Sequence, residues 1–332
     1  MAIGEQQTQK DEGGDSGGDG FDPNVGWRHT LSKIKGDATA RFGLYVIAIV
    51  GAVAVVTTID ANLSTITFGR VENFALVESV WYHPERHPDP GTTERRMPPF
   101  FVEGGSLEHP LGTDRNGRDY ISRLVYGTRV SFFVGIVATA LGLLGGTIIG
   151  AVSGYYGGWV DDVLMRAVET LYAIPPLVLV IVFTVFVSGG DPDIIYAVFG
   201  VGIAFIPVFA RLIRSRVLSV REMDYVEAAR ATGVKDRDIL RRHVIPNSFA
   251  PVLVLATLQI GVTILIVAGL SFLGYGAQPP TPDWGEMLRI SHQYMHSNPW
   301  MSIWPGLAIL ITIMGFNLFG DGLQDALDPR IK

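Results

Sequence analysis

Six stretches of the chain contain no Asp, Glu, Lys or Arg: 42–59, 130–160, 170–190, 194–210, 243–282 and 290–320. A helix that crosses bilayer hydrocarbon needs about 20 mostly apolar residues, and each stretch is long enough. The pattern predicts six membrane helices, over about 42–59, 130–152, 170–188, 194–212, 250–273 and 303–319. In the second, Gly142, Gly146, Gly150 and Gly154 recur at every fourth position, a spacing that lets another helix backbone come close. In the third, Pro175-Pro176 should kink or delay the helix. The fourth carries Pro207.

The segments between these stretches are polar. Residues 60–129 hold prolines at 84, 88, 90, 98, 99 and 110, so an irregular extramembrane loop is expected. Within it, 119–126 predicts a short amphipathic helix, because Ile121, Leu124 and Val125 share a face. Residues 1–25 are rich in Gly and Asp and nearly free of apolar side chains, a composition that does not fold alone. The connection between the fourth and fifth helices, 211–242, carries nine Arg and Lys. Positive residues stay on the cytosolic side, so this connection and both chain ends are expected in the cytosol.

That connection has structure of its own. Residues 221–231 suit a helix, with Ala228, Ala229 and Ala231 as strong formers. Gly233 can take the left-handed conformation that ends it. Asp236 is placed to cap a second short helix running to about Arg242, and Pro246 should stop it by disfavouring helix at Ile245. The result is a helix-turn-helix tethered between two membrane helices, with small side chains that invite close docking. Reading DNA is not a role for such a tethered loop.

Composition agrees with the pattern. Hydrophobic residues make up 48% and charged residues 17%, against about 25% charged in soluble domains. Mean hydropathy is +0.30. An ordinary soluble enzyme is excluded. The net charge of −6 sits mostly in the acidic tail, where Glu5, Asp11, Glu12, Asp15, Asp19 and Asp22 face only Lys10. No basic footprint for nucleic acid exists. There are no cysteines, hence no thiolate chemistry. No Gly-Lys dipeptide occurs, so the phosphate-cradling loop that ends in Gly-Lys-Ser/Thr is absent and energy must come from elsewhere. His292 and His296 stand four apart, but Gln293 occupies the place where a zinc protease needs Glu. His83, His87 and His109 lie in the Pro-rich loop without a metal-ligand spacing.

Glu227-Ala228-Ala229, with Gly233 four residues after the second Ala and then Val244-Ile245-Pro246-Asn247, resembles the EAA loop of permease subunits of ATP-binding cassette (ABC) importers. His109-Pro110-Leu111-Gly112-Thr113-Asp114 with Gly117-Arg118-Asp119, Ser122-Arg123, Gly127 and Arg129 resembles the segment before the second span of dipeptide and oligopeptide permeases. So do Gly276-Ala277-Gln278-Pro279-Pro280-Thr281-Pro282 with Trp284-Gly285, and Phe316-Asn317-Leu318 with Gly320-Asp321-Gly322-Leu323 and Leu327-Asp328-Pro329. Gln324 stands where that family usually has Arg. The resemblance covers about 40–332.

The resemblance implies an all-α membrane protein with the six transmembrane helices of the type I ABC importer permease fold. It implies a cytosolic tail (1–41), a first helix (42–59), an extracytoplasmic loop and interfacial segment (60–129), a five-helix core (130–323) containing the EAA loop (214–247), and a cytosolic end (324–332). Tyr225, Glu227, Ala228, Ala229, Gly233 and Pro246 would then form the element that couples to an ATPase. The partners would be a second homologous permease subunit, two ATP-binding subunits that hold ATP and Mg, an extracytoplasmic solute-binding protein and membrane lipid. The chain itself would be no enzyme and would carry no cofactor. Its cargo would be di- or oligopeptides, with nickel chelates or oligosaccharides as the alternative for the same machinery. Polar residues inside spans tend to face the bundle interior, which makes Gln259, Thr263, Ser271 and Asn317 candidates for the translocation pathway. An ion-coupled secondary transporter is the alternative from another class. It would need charged residues within its spans, and these spans have none.

Overall fold

The computed structural model describes residues 33–67, 71–86, 88, 94–189 and 193–327. The acidic tail, His87 and Asp328-Pro329 lie outside them. Among the described residues the regular structure is helical, and its one β-bridge joins Thr113 to Asp119. Five helices are long and apolar enough to cross a membrane: α1 (Ala38–Ala61), α3 (Tyr120–Tyr156), α6 (Ile194–Val220), α9 (Ala250–Phe272) and α11 (Trp300–Leu327). Two further helices, α4 (Gly158–Tyr172) and α5 (Pro176–Ser188), set at 92° to each other, are long and apolar enough only when taken together, as one broken span or a re-entrant loop. Between α1 and α3 lies the short α2 (Ala75–Val80). Between α6 and α9 lie α7 (Asp224–Ala231) and α8 (Asp236–Ile239). Between α9 and α11 lies α10 (Trp284–Ser291).

Pro175-Pro176 acts as expected, and more strongly. The helix is delayed to Pro176 and has only 13 residues, about 20 Å at 1.5 Å per residue. The residues before it form the separate amphipathic α4. The short amphipathic helix expected over 119–126 does not exist by itself. It is the first part of α3, which runs unbroken for 37 residues, about 55 Å, and so projects well beyond a hydrocarbon core of about 30 Å. The side chain of Asp119 caps it, accepting the Ser122 N–H at 2.8 Å.

The glycine ladder explains how α3 packs. Gly142, Gly146, Gly150 and Gly154 all turn toward α6. A Cβ on Gly146 would stand 2.5 Å from the Cβ of Phe209, and one on Gly150 would stand 2.3 Å from the Ala210 carbonyl oxygen. The ladder is thus spent on an interface inside this chain, not on one with a second permease subunit. A similar crossing joins α1 to α11. There a Cβ on Gly43 would meet the Phe319 nitrogen at 2.6 Å and the Gly315 carbonyl oxygen at 2.7 Å. The main core gathers Phe205, Phe209, Ile213 and Val217 of α6, Val180 of α5, and Val252, Val267 and Leu270 of α9. The outward faces stay apolar: Phe42, Ile49, Phe186, Ile148 and Leu265 are all exposed, as lipid-facing side chains are.

Candidate functional site

The connection between α6 and α9 has short helices of its own. α7 buries only Val226. Tyr225, Glu227 and Ala228 are exposed and Ala229 is half-buried. Gly233 has a φ of +81°, and a Cβ there would meet nothing within 4 Å, so glycine is required by backbone conformation alone. The turn it makes reverses the chain into α8.

Some details depart from the sequence reading. The helix begins at Asp224 and not at 221, because Met223 is extended. Asp236 is the first residue of α8 and not its cap, which is Lys235. Pro246 does not stop the second helix. α8 passes through a π-helical turn, Leu240–Val244, into Ile245–Ser248 and on to α9. Ile245 holds helical angles and its N–H reaches back five residues to the Leu240 carbonyl. The wider turn absorbs the proline, whose missing N–H would otherwise break an i→i−4 ladder.

This element is fastened to the bundle by polar contacts that spacing does not reveal. The hydroxyl of Tyr155, next to last in α3, donates to Asp236 Oδ1 at 2.6 Å. Arg230 lies beside that hydroxyl, whose proximity holds its guanidinium above the ordinary value. Arg221, just past α6, donates to the Gly154 carbonyl at 2.8 Å. Tyr155, Arg221, Glu222, Glu227 and Arg230 line a polar cavity of about 400 Å³. One further ion pair ties α4 to α6: Arg214 bonds both oxygens of Asp161, at 2.6 and 2.5 Å.

At the opposite end of α3, two motifs far apart in sequence meet. Arg123 reaches Glu286 at 3.4 Å, Asp114 at 3.5 Å and the Pro84 carbonyl at 3.1 Å. Asp114 also holds Arg118 at 2.7 Å. Asp119 accepts from Trp81 at 2.9 Å and contacts His109 Nδ1 at 2.8 Å. Asp283 caps α10 and accepts from Ser131 at 2.9 Å. Burial pushes the carboxyls of Asp283 and Glu286 above their ordinary values. Each motif contains unlike charges, but only the fold shows that they neutralise one another.

The family model of the binding-protein-dependent transport system inner membrane component matches residues 146–332. The chain belongs to that family. Among similar curated proteins, a dipeptide transport system permease protein of Alkalihalophilus pseudofirmus is 44% identical over 231 residues, 70% of this chain and 75% of that one. A glutathione transport system permease protein of Pectobacterium atrosepticum is 44% identical over 230 residues, 69% of this chain and 75% of that one. An inward-facing structure of the MetNI methionine ABC transporter has a TM-score of 0.52 at 17% identity, covering 62% of this chain and 97% of its own. That likeness shows the fold, all-α and of the type I ABC importer kind, and it agrees with the inner-membrane permease family that the sequence match shows.

The four pathway candidates fall into two kinds. Thr263 is fully buried and shares a hydrogen bond of 2.8 Å with Thr139 of α3. Ser271 is fully buried, with its Cβ 2.7 Å from where a Gly285 Cβ would stand. In this conformation both are packing groups. Asn317 is exposed on α11, beside Gly261 of α9, whereas Gln259 of α9 is buried. His292 bonds its own helix through the Arg289 carbonyl, and no group of three or more metal-ligating side chains occurs among the described residues.

Proposed function

We propose that this chain is the transmembrane subunit of an ABC importer that carries di- or oligopeptides, with α7 as the element that docks on a partner ATPase. One observation carries the docking reading. α7 is a short helix with a single buried residue, ended by the Gly233 turn, in a chain 44% identical to a dipeptide permease. A helix with so little internal packing is explained by a partner that covers it. Tyr225, Glu227, Ala228, Ala229 and Gly233 form its docking face and turn, and Pro246 lies where the element rejoins α9.

On this reading α7 and both termini are cytosolic, and the cluster around Arg123 faces outward, where a solute-binding protein delivers cargo. A second permease subunit completes the pathway, which Gln259 and Asn317 line. Two ATP-binding subunits hold ATP and Mg. This chain does no covalent chemistry: ATP-driven closure of the partners pushes α7, and the spans alternate between inward-open and outward-open states.

The test uses the complex reconstituted with its ATPases and binding protein. Gly233→Val forces a β-branched residue into a positive φ, a strain of about 1–2 kcal/mol or more, and Glu227→Lys reverses an exposed charge. Both should insert normally, and in both loaded binding protein should no longer stimulate ATP hydrolysis. Near-normal stimulation and uptake in both variants would reduce α7 to an ordinary linker.

A further inference from the structure

We propose that Tyr155 is the residue that passes movement of α7 into the membrane helices; this rests on the coupling reading of α7 given above. Both short helices of the element have one apolar anchor, Val226 for α7 and Ile239 for α8. Apolar contacts are non-directional and resist sliding poorly. The Tyr155 hydroxyl supplies direction. It donates to Asp236, the first residue of α8, at 2.6 Å, and Arg230 in the last turn of α7 lines the same cavity. The bond ties the element, just past the Gly233 turn, to the end of α3. Its acceptor is charged, which makes it the stronger kind of hydrogen bond.

The attachment point suits transmission. The last carbonyls of a helix lack internal partners, and Arg221 fills that need at Gly154, joining the ends of α3 and α6 beside the pin. From Tyr155, α3 continues without a break to Tyr120, and its first turns hold Arg123 in the outer charge cluster. Displacement of α7 thus has a direct mechanical route, one helix long, to the far face. The cavity of about 400 Å³ beside the pin means that removing the hydroxyl breaks no apolar packing.

The test again uses the complete complex, in preparations matched for ATPase content. It reads hydrolysis with loaded binding protein relative to hydrolysis without it, and peptide taken up per ATP. Tyr155→Phe should lower the stimulated ratio about tenfold, the effect of losing a hydrogen bond to a charged partner, while complex yield and thermal midpoint stay at the wild-type level. Asp236→Ala should do the same, and the double variant should be no worse than either single one. A double variant whose losses multiply would overturn the shared route. So would a Tyr155→Phe complex that couples normally while Gly233→Val does not, which leaves the docking role of α7 standing. Normal coupling in both would fell the docking reading itself. If Tyr155→Phe fails to assemble, Asp236→Ala, at an exposed position, carries the same comparison.

Discussion

Arg123 Nη2 lies 3.4 Å from Glu286 Oε2, across 163 residues of sequence, and both side chains are out of solvent. The pair joins the first turns of α3 to α10, and it is not symmetric. Arg123 has other partners in Asp114 and in the carbonyls of Pro84 and Pro280. Among the described residues Glu286 pairs with Arg123 and, at 3.6 Å, Arg289, and its Oε1 accepts no hydrogen bond from them.

The asymmetry predicts unequal mutants. Arg123→Met strands Glu286 as a buried charge and should destabilise the purified protein by about 3–5 kcal/mol, the usual effect of breaking a buried pair from one side. Glu286→Gln keeps the shape, removes a poorly solvated charge and leaves Arg123 paired to Asp114, so its thermal midpoint should stay near wild type. Equal losses in the two variants would contradict this arrangement.

The same carboxyl sets a pH dependence. Burial raises Glu286 above its ordinary value, against the opposing pull of Arg123. In the window between the ordinary and the raised value the folded state binds the extra proton, so its stability falls as pH rises through that window. The wild-type protein should lose stability relative to Glu286→Gln as pH climbs from the ordinary glutamate range, and regain it on acidification. Parallel melting profiles for the two across that range would refute the effect.

Much of this architecture was legible in the chain because membranes impose simple rules. Charge-free length marked the five long apolar helices, and the proline pair marked the break between α4 and α5. The positive φ at Gly233 followed from a glycine after a helical run. The Pro246 expectation failed because propensity rules describe an α-helix, and a π-turn has a different hydrogen-bond register. The contacts of Tyr155 with Asp236 and of Arg221 with Gly154 escaped notice because nothing local in sequence relates positions so far apart. Thr263 looked like a pathway group because polarity within a span does not reveal which way a side chain turns. The glycine ladder announced a close helix contact but not its partner, α6.

That contact predicts a sharp difference between two glycines. A Cβ on Gly150 would sit 2.3 Å from the Ala210 carbonyl oxygen, whereas one on Gly269 of α9 meets nothing within 4 Å. Gly150→Ala must push α3 and α6 apart and should destabilise by about 1–3 kcal/mol, as overpacking does. Gly269→Ala should be neutral or slightly stabilising, since alanine favours helix over glycine by about 1 kcal/mol. Thermal melts of the two variants in one detergent would decide the matter, and a harmless Gly150→Ala would mean that the interface is looser than its backbone spacing.

Orientation can be settled with the chain's own lack of cysteine, which makes any introduced thiol unique. Ala231 ends α7 and is exposed, and Leu107 lies in the segment before α3 and is 75% exposed. The two positions flank opposite ends of α3, because Tyr155 meets Asp236 while Arg123 meets Asp114. Positive residues are retained on the cytosolic side, and residues 211–242, the end of α6 and most of its connection to α9, carry nine Arg and Lys. An impermeant maleimide added to intact cells should therefore label Leu107→Cys and spare Ala231→Cys, and permeabilised cells should show both labelled. Neither substitution removes a packed side chain, so poor labelling cannot be blamed on misfolding. Labelling of Ala231→Cys from outside intact cells would invert the protein, put α7 beyond the reach of any ATP-binding partner, and remove the basis for its coupling role.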